Sequence, residues 1–181
     1  NVEHPLIFNT FQTYLKDSSS RVMRNVERAE REGFHFAAKI VRGAYMVRER
    51  ELASEEGRPS PILDTIEETH ANFNGVVDFL LSRDGDANIL IATHNQKSVE
   101  LAIDAMARYG KSPEASGVYF GQLLGMADHL TMTLGANGFL AYKYVPYGPI
   151  NEVLPYLVRR AHENSDVLGN AAMERRMMGS A

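Results

Sequence analysis

The sequence predicts an α/β fold of five parallel βα units, arranged as part of a (β/α) barrel rather than as an open dinucleotide-binding sheet. Three observations carry this. A short apolar strand, a polar exit and an amphipathic helix follow one another five times along the 181 residues, the pattern of parallel strands joined by crossovers. The first exit reads Asn9-Thr10-Phe11-Gln12-Thr13-Tyr14, so the G-x-G-x-x-G turn of a nucleotide-binding sheet is missing. Polar groups occupy all five exits, as at the C-terminal rim of a barrel, where loops from many strands share one site.

Leu6 to Asn9 is an apolar run behind Pro5 and makes the first strand, with Asn9, Thr10 and Gln12 at its exit. A helical pattern spans Asp17 to Glu32, and Gly33 closes it, because glycine tolerates the left-handed turn that ends helices. Phe36 to Val41 is the second strand, leaving through Arg42-Gly43-Ala44-Tyr45. Met46 to Gly57 is charged and helical, residues 58–61 break the chain, and Asp64 to Ser82 is a long amphipathic helix followed by a turn at Arg83 to Asp86. Asn88 to Ala92 has the continuous apolar character of a buried strand and exits into Thr93-His94-Asn95. Ser98 to Tyr109 is a surface helix that Gly110 closes.

Gly117 to Phe120 is the fourth strand, leading to a loop over Gly121 to Met126 and a short helix over Ala127 to Leu134. Gly135 and Gly138 punctuate, and Phe139 to Tyr144 is the fifth strand. Beyond it lie Pro149 and Pro155, which suit a turn and an early helical position. The last helix is therefore expected to begin near Pro155, with Arg159 and Arg160 in its first turns and Glu163 beyond. Residues 1–165 are expected to form the barrel portion, and 166–181 a charged, weakly ordered tail. Five units cannot close a barrel, which needs eight strands and about 250 residues, so the chain is expected to be the C-terminal portion of a larger enzyme.

Composition bounds the chemistry. Hydrophobic residues make up 44% and charged residues 23%, the balance of an ordinary globular domain. A net charge of −4 supplies no basic field, so nucleic acid is not an expected partner. The absence of cysteine removes disulfides, zinc thiolates and thiol nucleophiles together. No run approaches the ~20 apolar residues of a membrane span, and the opening residues Asn1 to Asn9 lack the pattern of a targeting peptide.

The candidate functional residues lie at the exits. His94 has no HxH, HExxH or carboxylate cluster beside it, so no metal is expected. With Thr93 and Asn95 it offers hydroxyl, imidazole and amide groups suited to a heterocycle edge or a phosphate, or to satisfying the βα turn itself. Lys39 and Arg42, three apart, face opposite sides of a regular strand, and each needs a polar partner because an unpaired buried charge is costly. A phosphate-bearing cofactor meets that need, and so does an internal salt bridge. Gly43, Gly121 and Gly125 allow close backbone approach, while Tyr45, Leu124 and Tyr144 either wall a small pocket or pack as second-layer residues. Arg159 and Arg160 point about 100° apart on the helix, so they form either a solvated face with Glu163 or a fork for a carboxylate or phosphate.

Six segments, FNTFQTYLKD, AAKIVRGAYM, ATHN, YFGQLLGM, YKYVPYG and YLVRRAHEN, together resemble, in family order, proline dehydrogenase, the flavin enzyme of proline catabolism, and its hydroxyproline-oxidising relatives. The wording is closest to eukaryotic, mitochondrial members; bacterial ones show Arg and Lys where this chain has Lys39 and Arg42. The resemblance implies a distorted (β/α)8 barrel, of which this chain supplies about strands four to eight, with FAD held at the strand C-termini. It matches Gln12, Lys39, Arg42, Gly43, Ala44, Thr93, His94, Asn95 and Gln122 to cofactor contacts, and Tyr45, Leu124, Tyr144, Arg159 and Arg160 to the substrate pocket. Tyr144, Arg159, Arg160 and Glu163 form the implied catalytic set, the arginines gripping the carboxylate and Glu163 holding an arginine in register. It further implies oxidation of L-proline to 1-pyrroline-5-carboxylate, electrons passing to a membrane quinone, and a mitochondrial place on the matrix side of the inner membrane with peripheral membrane contact. The family's lysine and aspartate from earlier strands have no counterpart here. Hydroxyproline oxidation, a non-catalytic barrel fragment and a flavin-free barrel enzyme acting on a phosphorylated sugar or acid are the alternatives.

Overall fold

The computed structural model describes residues 5, 7–84, 88–114 and 117–160, in two compact units, one up to Tyr144 and one from Val145 on. The first contains β1 (Asn9–Gln12), α1 (Ser18–Glu32), β2 (Ala38–Val41), α2 (Met46–Glu55), α3 (Ile66–Leu81), β3 (Ile89–Ala92), α4 (Gln96–Arg108), β4 (Val118–Leu123), α5 (Asp128–Ala136) and β5 (Leu140–Tyr144). The strands pair in the order β1-β2-β3-β4-β5, every pair parallel. Sequential order with a helix or helices in each crossover is the arc of a (β/α) barrel; an open doubly wound sheet would reverse its strand order at a switch point.

Alternation along the strands sets the two faces. Phe11, Ala38, Ile40, Ile89, Ile91, Val118 and Phe120 are buried in one core with Val22 and Val26 of α1, Phe73, Val77 and Leu81 of α3, and Val99 and Met106 of α4. Each Val, Leu, Ile, Phe or Met among them contributes roughly 1.5–3 kcal/mol of burial. The helices repeat apolar residues three and four apart, which places them on this face. Local signals fix their ends: Thr65 and Glu68 form a reciprocal capping box on α3, Asn95 accepts from Ser98 N to cap α4, and Gly33 closes α1 at φ 71°.

Three boundaries depart from the sequence reading. β1 lies at Asn9–Gln12, not Leu6 to Asn9: only Phe11 of that tetrapeptide is buried, and register with β2 rather than an apolar run defines the strand. β4 continues through Gly121, Gln122 and Leu123, because β5 pairs along all of them. In the second unit a helix, α6, covers 150–160 and starts where the Pro149 carbonyl accepts from Glu152 N and Val153 N, both at 3.0 Å. Pro155 therefore falls inside the helix, withholding one N–H from its ladder, and the arginines sit in the third turn. Glu163 and the tail 166–181 lie outside the described residues. No helix among the described residues is long and apolar enough to cross a membrane.

Candidate functional site at the strand exits

Lys39 and Arg42 leave β2 on opposite sides, as their spacing requires. Lys39 pairs in register with Thr10 and Leu90 on the face turned away from the helices, and its Nζ lies 5.3 Å from the centre of the Tyr144 ring. Arg42 turns to the helix side. Its Nε donates to His70 Nδ1 of α3 at 2.9 Å, Nη1 to Thr93 Oγ1 at 2.8 Å, and Nη2 to Ser98 Oγ of α4 at 2.7 Å. The guanidinium stacks 4.2 Å from the Phe73 ring centre. The expected internal salt bridge does not form among the described residues: three neutral acceptors and an aromatic face hold the guanidinium. Burial lowers its pKa to about 10, which leaves it charged at neutral pH.

The other exits are tied to one another in the same manner. Gln12 Oε1 accepts from Ala44 N at 3.2 Å, joining the exits of β1 and β2. Thr93 Oγ1 accepts from Asn95 N at 3.1 Å, and Asn95 Oδ1 from Ser98 N at 2.9 Å, so the turn-satisfying role holds for both oxygens. His94 Nε2 accepts from Leu123 N at 3.0 Å, joining β3 to β4. Burial first, and Lys143 second, lower the His94 pKa. With Nε2 accepting, the neutral ring carries its proton on Nδ1. Gln122, expected at the cofactor, points to the helix side and is 2% exposed; its amide donates to Thr93 O at 3.3 Å and accepts from Thr131 Oγ1 at 2.8 Å.

Gly43 has a different reason for being glycine than ligand approach alone. Its φ is 144°, and a Cβ there would come 2.5 Å from the ring of buried Tyr14. Tyr45 caps α2, and Tyr45, Leu124 and Tyr144 are 45%, 60% and 47% exposed, so they are not core residues. Gly121 lies in β4 with its missing side chain against Leu90, and Gly125 takes φ 78° in the following turn.

The bonds leave a one-sided set of groups. Backbone N–H donors have taken the side-chain oxygens of Gln12, Thr93 and Asn95 and the Nε2 of His94. The other polar atoms of these side chains, the amide N–H2 of Gln12 and Asn95 and Nδ1–H of His94, are donors, and Lys39 adds a positive charge on the helix-free face. Such donors fit the carbonyls, unprotonated ring nitrogens and diphosphate oxygens of a flavin nucleotide, which are acceptors. Among the described residues no cluster of three or more potential metal ligands occurs.

In the second unit Arg159 is exposed and Arg160 half-buried. Arg160 stacks 5.3 Å from the centre of the Tyr156 ring, four residues earlier on the helix. That partner was legible as an i,i+4 pair but is absent from the sequence reading. His70, Ser98 and Thr131 were missed too, and no sequence signal marks them, since each meets its partner through tertiary structure.

A parallel sheet in sequential order, with polar groups gathered at the C-terminal ends of its strands, is the arrangement of a (β/α)-barrel protein. The proline dehydrogenase family profile matches residues 1–172. Mitochondrial proline dehydrogenase 1 of Homo sapiens is 48% identical over 181 residues, covering 98% of this chain and 30% of the human protein. Hydroxyproline dehydrogenase of Xenopus laevis is 42% identical over 182 residues, covering 98% and 39%. Among solved structures, proline utilization A from Bdellovibrio bacteriovorus, inactivated by N-propargylglycine, superposes with a TM-score of 0.78 at 28% identity over 86% of this chain and 16% of that one. The chain belongs to the proline dehydrogenase family, and it spans about 30% of the length of the human relative.

Proposed function

We propose that this chain supplies cofactor loops and a substrate carboxylate clamp to a flavin-dependent enzyme that oxidises L-proline to 1-pyrroline-5-carboxylate. The observation that supports the reading is that backbone N–H groups take the acceptor atoms of Gln12, Thr93, Asn95 and His94, which turns amide and imidazole donors to the ligand, on a sheet that holds Lys39 on its helix-free face. FAD would be held by Gln12, Lys39, Gly43, Ala44, Thr93, His94 and Asn95. Arg42 and Gln122 act one step back, fixing the loops that carry those groups. FAD, when bound, would supply the two-electron acceptor for loss of a hydride equivalent from the ring carbon that adjoins the nitrogen and does not bear the carboxylate, with loss of a proton from that nitrogen. Everything else asked of these residues is positioning and electrostatics.

Arg159 and Arg160 bind the substrate carboxylate, a planar anion matched to the guanidinium fork; Tyr156 fixes the Arg160 plane by stacking, and Glu163 completes the arginine register. Tyr45, Leu124 and Tyr144 cover the substrate ring. Electrons pass to a quinone. The names of the relatives support a mitochondrial location, and a quinone acceptor is consistent with a position on the matrix side of the inner membrane with peripheral contact. Hydroxyproline oxidation is the second reading, favoured by the 42% identity to the Xenopus enzyme.

The test is a titration of the flavin-free protein with FAD followed by anaerobic addition of L-proline or 4-hydroxyproline, reading the visible flavin band. Retained flavin bleached by one imino acid is the expected result. A protein that takes up no flavin overturns the reading. Arg159→Ala and Arg160→Ala are each expected to weaken substrate binding by about 2–4 kcal/mol, through loss of a charge-assisted pair; an unchanged KM in both removes the clamp.

A further inference from the structure

Arg42 is a half-buried cation with no carboxylate in salt-bridge range among the described residues, and this makes its three neutral acceptors consequential. They come from three different elements: His70 from α3, Thr93 from the exit of β3, and Ser98 from the first turn of α4. Two of them also build the exit loop. Thr93 Oγ1 holds Asn95 N, and the backbone N of Ser98 bonds Asn95 Oδ1. The guanidinium thus clips both ends of the loop Thr93-His94-Asn95, and its own orientation about the third direction is set by His70.

A guanidinium has five donors in one plane. With Nη1 and Nη2 engaged on Thr93 and Ser98, the Nε–H bond to His70 and the stack on Phe73 fix the plane. Removing the Nδ1 acceptor leaves a buried donor unsatisfied and lets the plane rotate away from Thr93. Protonating His70 does the same and adds like-charge repulsion, because Nδ1 accepts only in the tautomer that carries its proton on Nε2.

We propose that His70 is a positioning residue for the cofactor: acting through Arg42, its neutral imidazole locks the Thr93 to Asn95 loop in the conformation that binds FAD, so that flavin is released when this ring is protonated. The inference rests on the flavin reading given above. Two charged groups act on the ring. Arg42 opposes protonation and Glu67, on the same helix as His70, favours it; burial opposes it most, and the balance holds the His70 pKa below its ordinary value.

The experiment uses holoprotein and FAD itself, following retained flavin by its absorbance and by quenching of its fluorescence. His70→Leu is expected to raise the FAD dissociation constant about tenfold at pH 7.5, the equivalent of about 1.4 kcal/mol for one buried donor left unpaired. His70→Asn carries a side-chain oxygen that does not titrate in the place of Nδ1. It is expected to retain FAD at pH 7.5 and to lack the acid-induced release that the proposal expects of wild type as pH falls through the lowered His70 value, below the ordinary value of about 6.5. Wild-type affinity in His70→Leu overturns the proposal, as does an unaltered release profile in His70→Asn, which also decides the matter if His70→Leu fails to fold. Flavin binding by wild type with either of those results sinks this inference alone; no flavin binding by wild type sinks the functional reading with it.

Discussion

On one face of the sheet Ile40, Ile89, Ile91 and Phe120 are sealed at 0% exposure under the protein's own helices, while on the other Lys39 and Tyr119 are half-buried and Tyr142 and Tyr144 about half exposed. These residues alternate along the same strands, one position apart. Stability is concentrated where side chains are apolar, interlocked and dry; recognition is available where they are aromatic or cationic and not covered by those helices. The sharpest case is β2, where Ile40 is core, Lys39 faces the other way, and Arg42 returns to the helix side to brace a neighbouring exit.

The largest expected effect tests that division directly. Phe120→Ala removes a fully buried ring that meets Phe139 edge to face at 5.8 Å, and is expected to cost about 3–5 kcal/mol of stability. Lys39→Met, two strands away on the other face, keeps the stem and removes only the charge. It is expected to change thermal stability by less than about 1 kcal/mol while lowering FAD affinity. Thermal unfolding of the apoprotein and flavin titration of both variants give the answer. Equal stability losses in the two would abolish the distinction between faces.

Gly43 lies where the two roles meet, and its effect is expected to be intermediate. Gly43→Ala places a Cβ into the Tyr14 ring and imposes a side chain on a backbone at φ 144°. About 1–3 kcal/mol is expected from the strain, together with displacement of the Ala44 N–H from Gln12. Tyr14→Leu combined with Gly43→Ala should recover part of the loss if the ring contact matters. Simple additivity of the two substitutions would assign the whole cost to backbone conformation.

What was legible in the sequence follows the same line between faces. Core strands such as Ile89–Ala92 announce themselves because both neighbours and both faces favour apolar residues, and helices α1 and α4 because their burial is periodic. β1 was displaced because Asn-Thr-Phe-Gln has one core residue, and pairing with β2 is what makes it a strand. The opposite directions of Lys39 and Arg42 followed from strand alternation alone. The partners of Arg42 did not, since they lie 28, 51 and 56 residues away and no local pattern encodes a tertiary bond. The same holds for Gln122, whose amide looked available at an exit and is consumed by Thr93 and Thr131. Pro155 misplaced the start of α6 because Pro149, an equally plausible start, precedes it by six residues.

The smallest expected effect concerns the imidazole that joins β3 to β4. His94 accepts from Leu123 N, and its folded pKa is lowered by burial and by Lys143. A lowered pKa means that the unfolded chain binds the proton first as pH falls. The stabilisation is therefore whole above about 6.5, the ordinary histidine value, and is lost as pH falls through the lowered folded value. Thermal midpoints of the apoprotein are expected to drop over that window, and His94→Gln, which offers an oxygen that does not titrate to Leu123 N, should make the drop shallower. Because His94 joins two strand exits while His70 braces Arg42, combining His94→Gln with His70→Asn should flatten the profile further than either alone. A pH profile that keeps its full slope in the double variant would place the acid sensitivity elsewhere in the molecule and leave these two rings as neutral struts only.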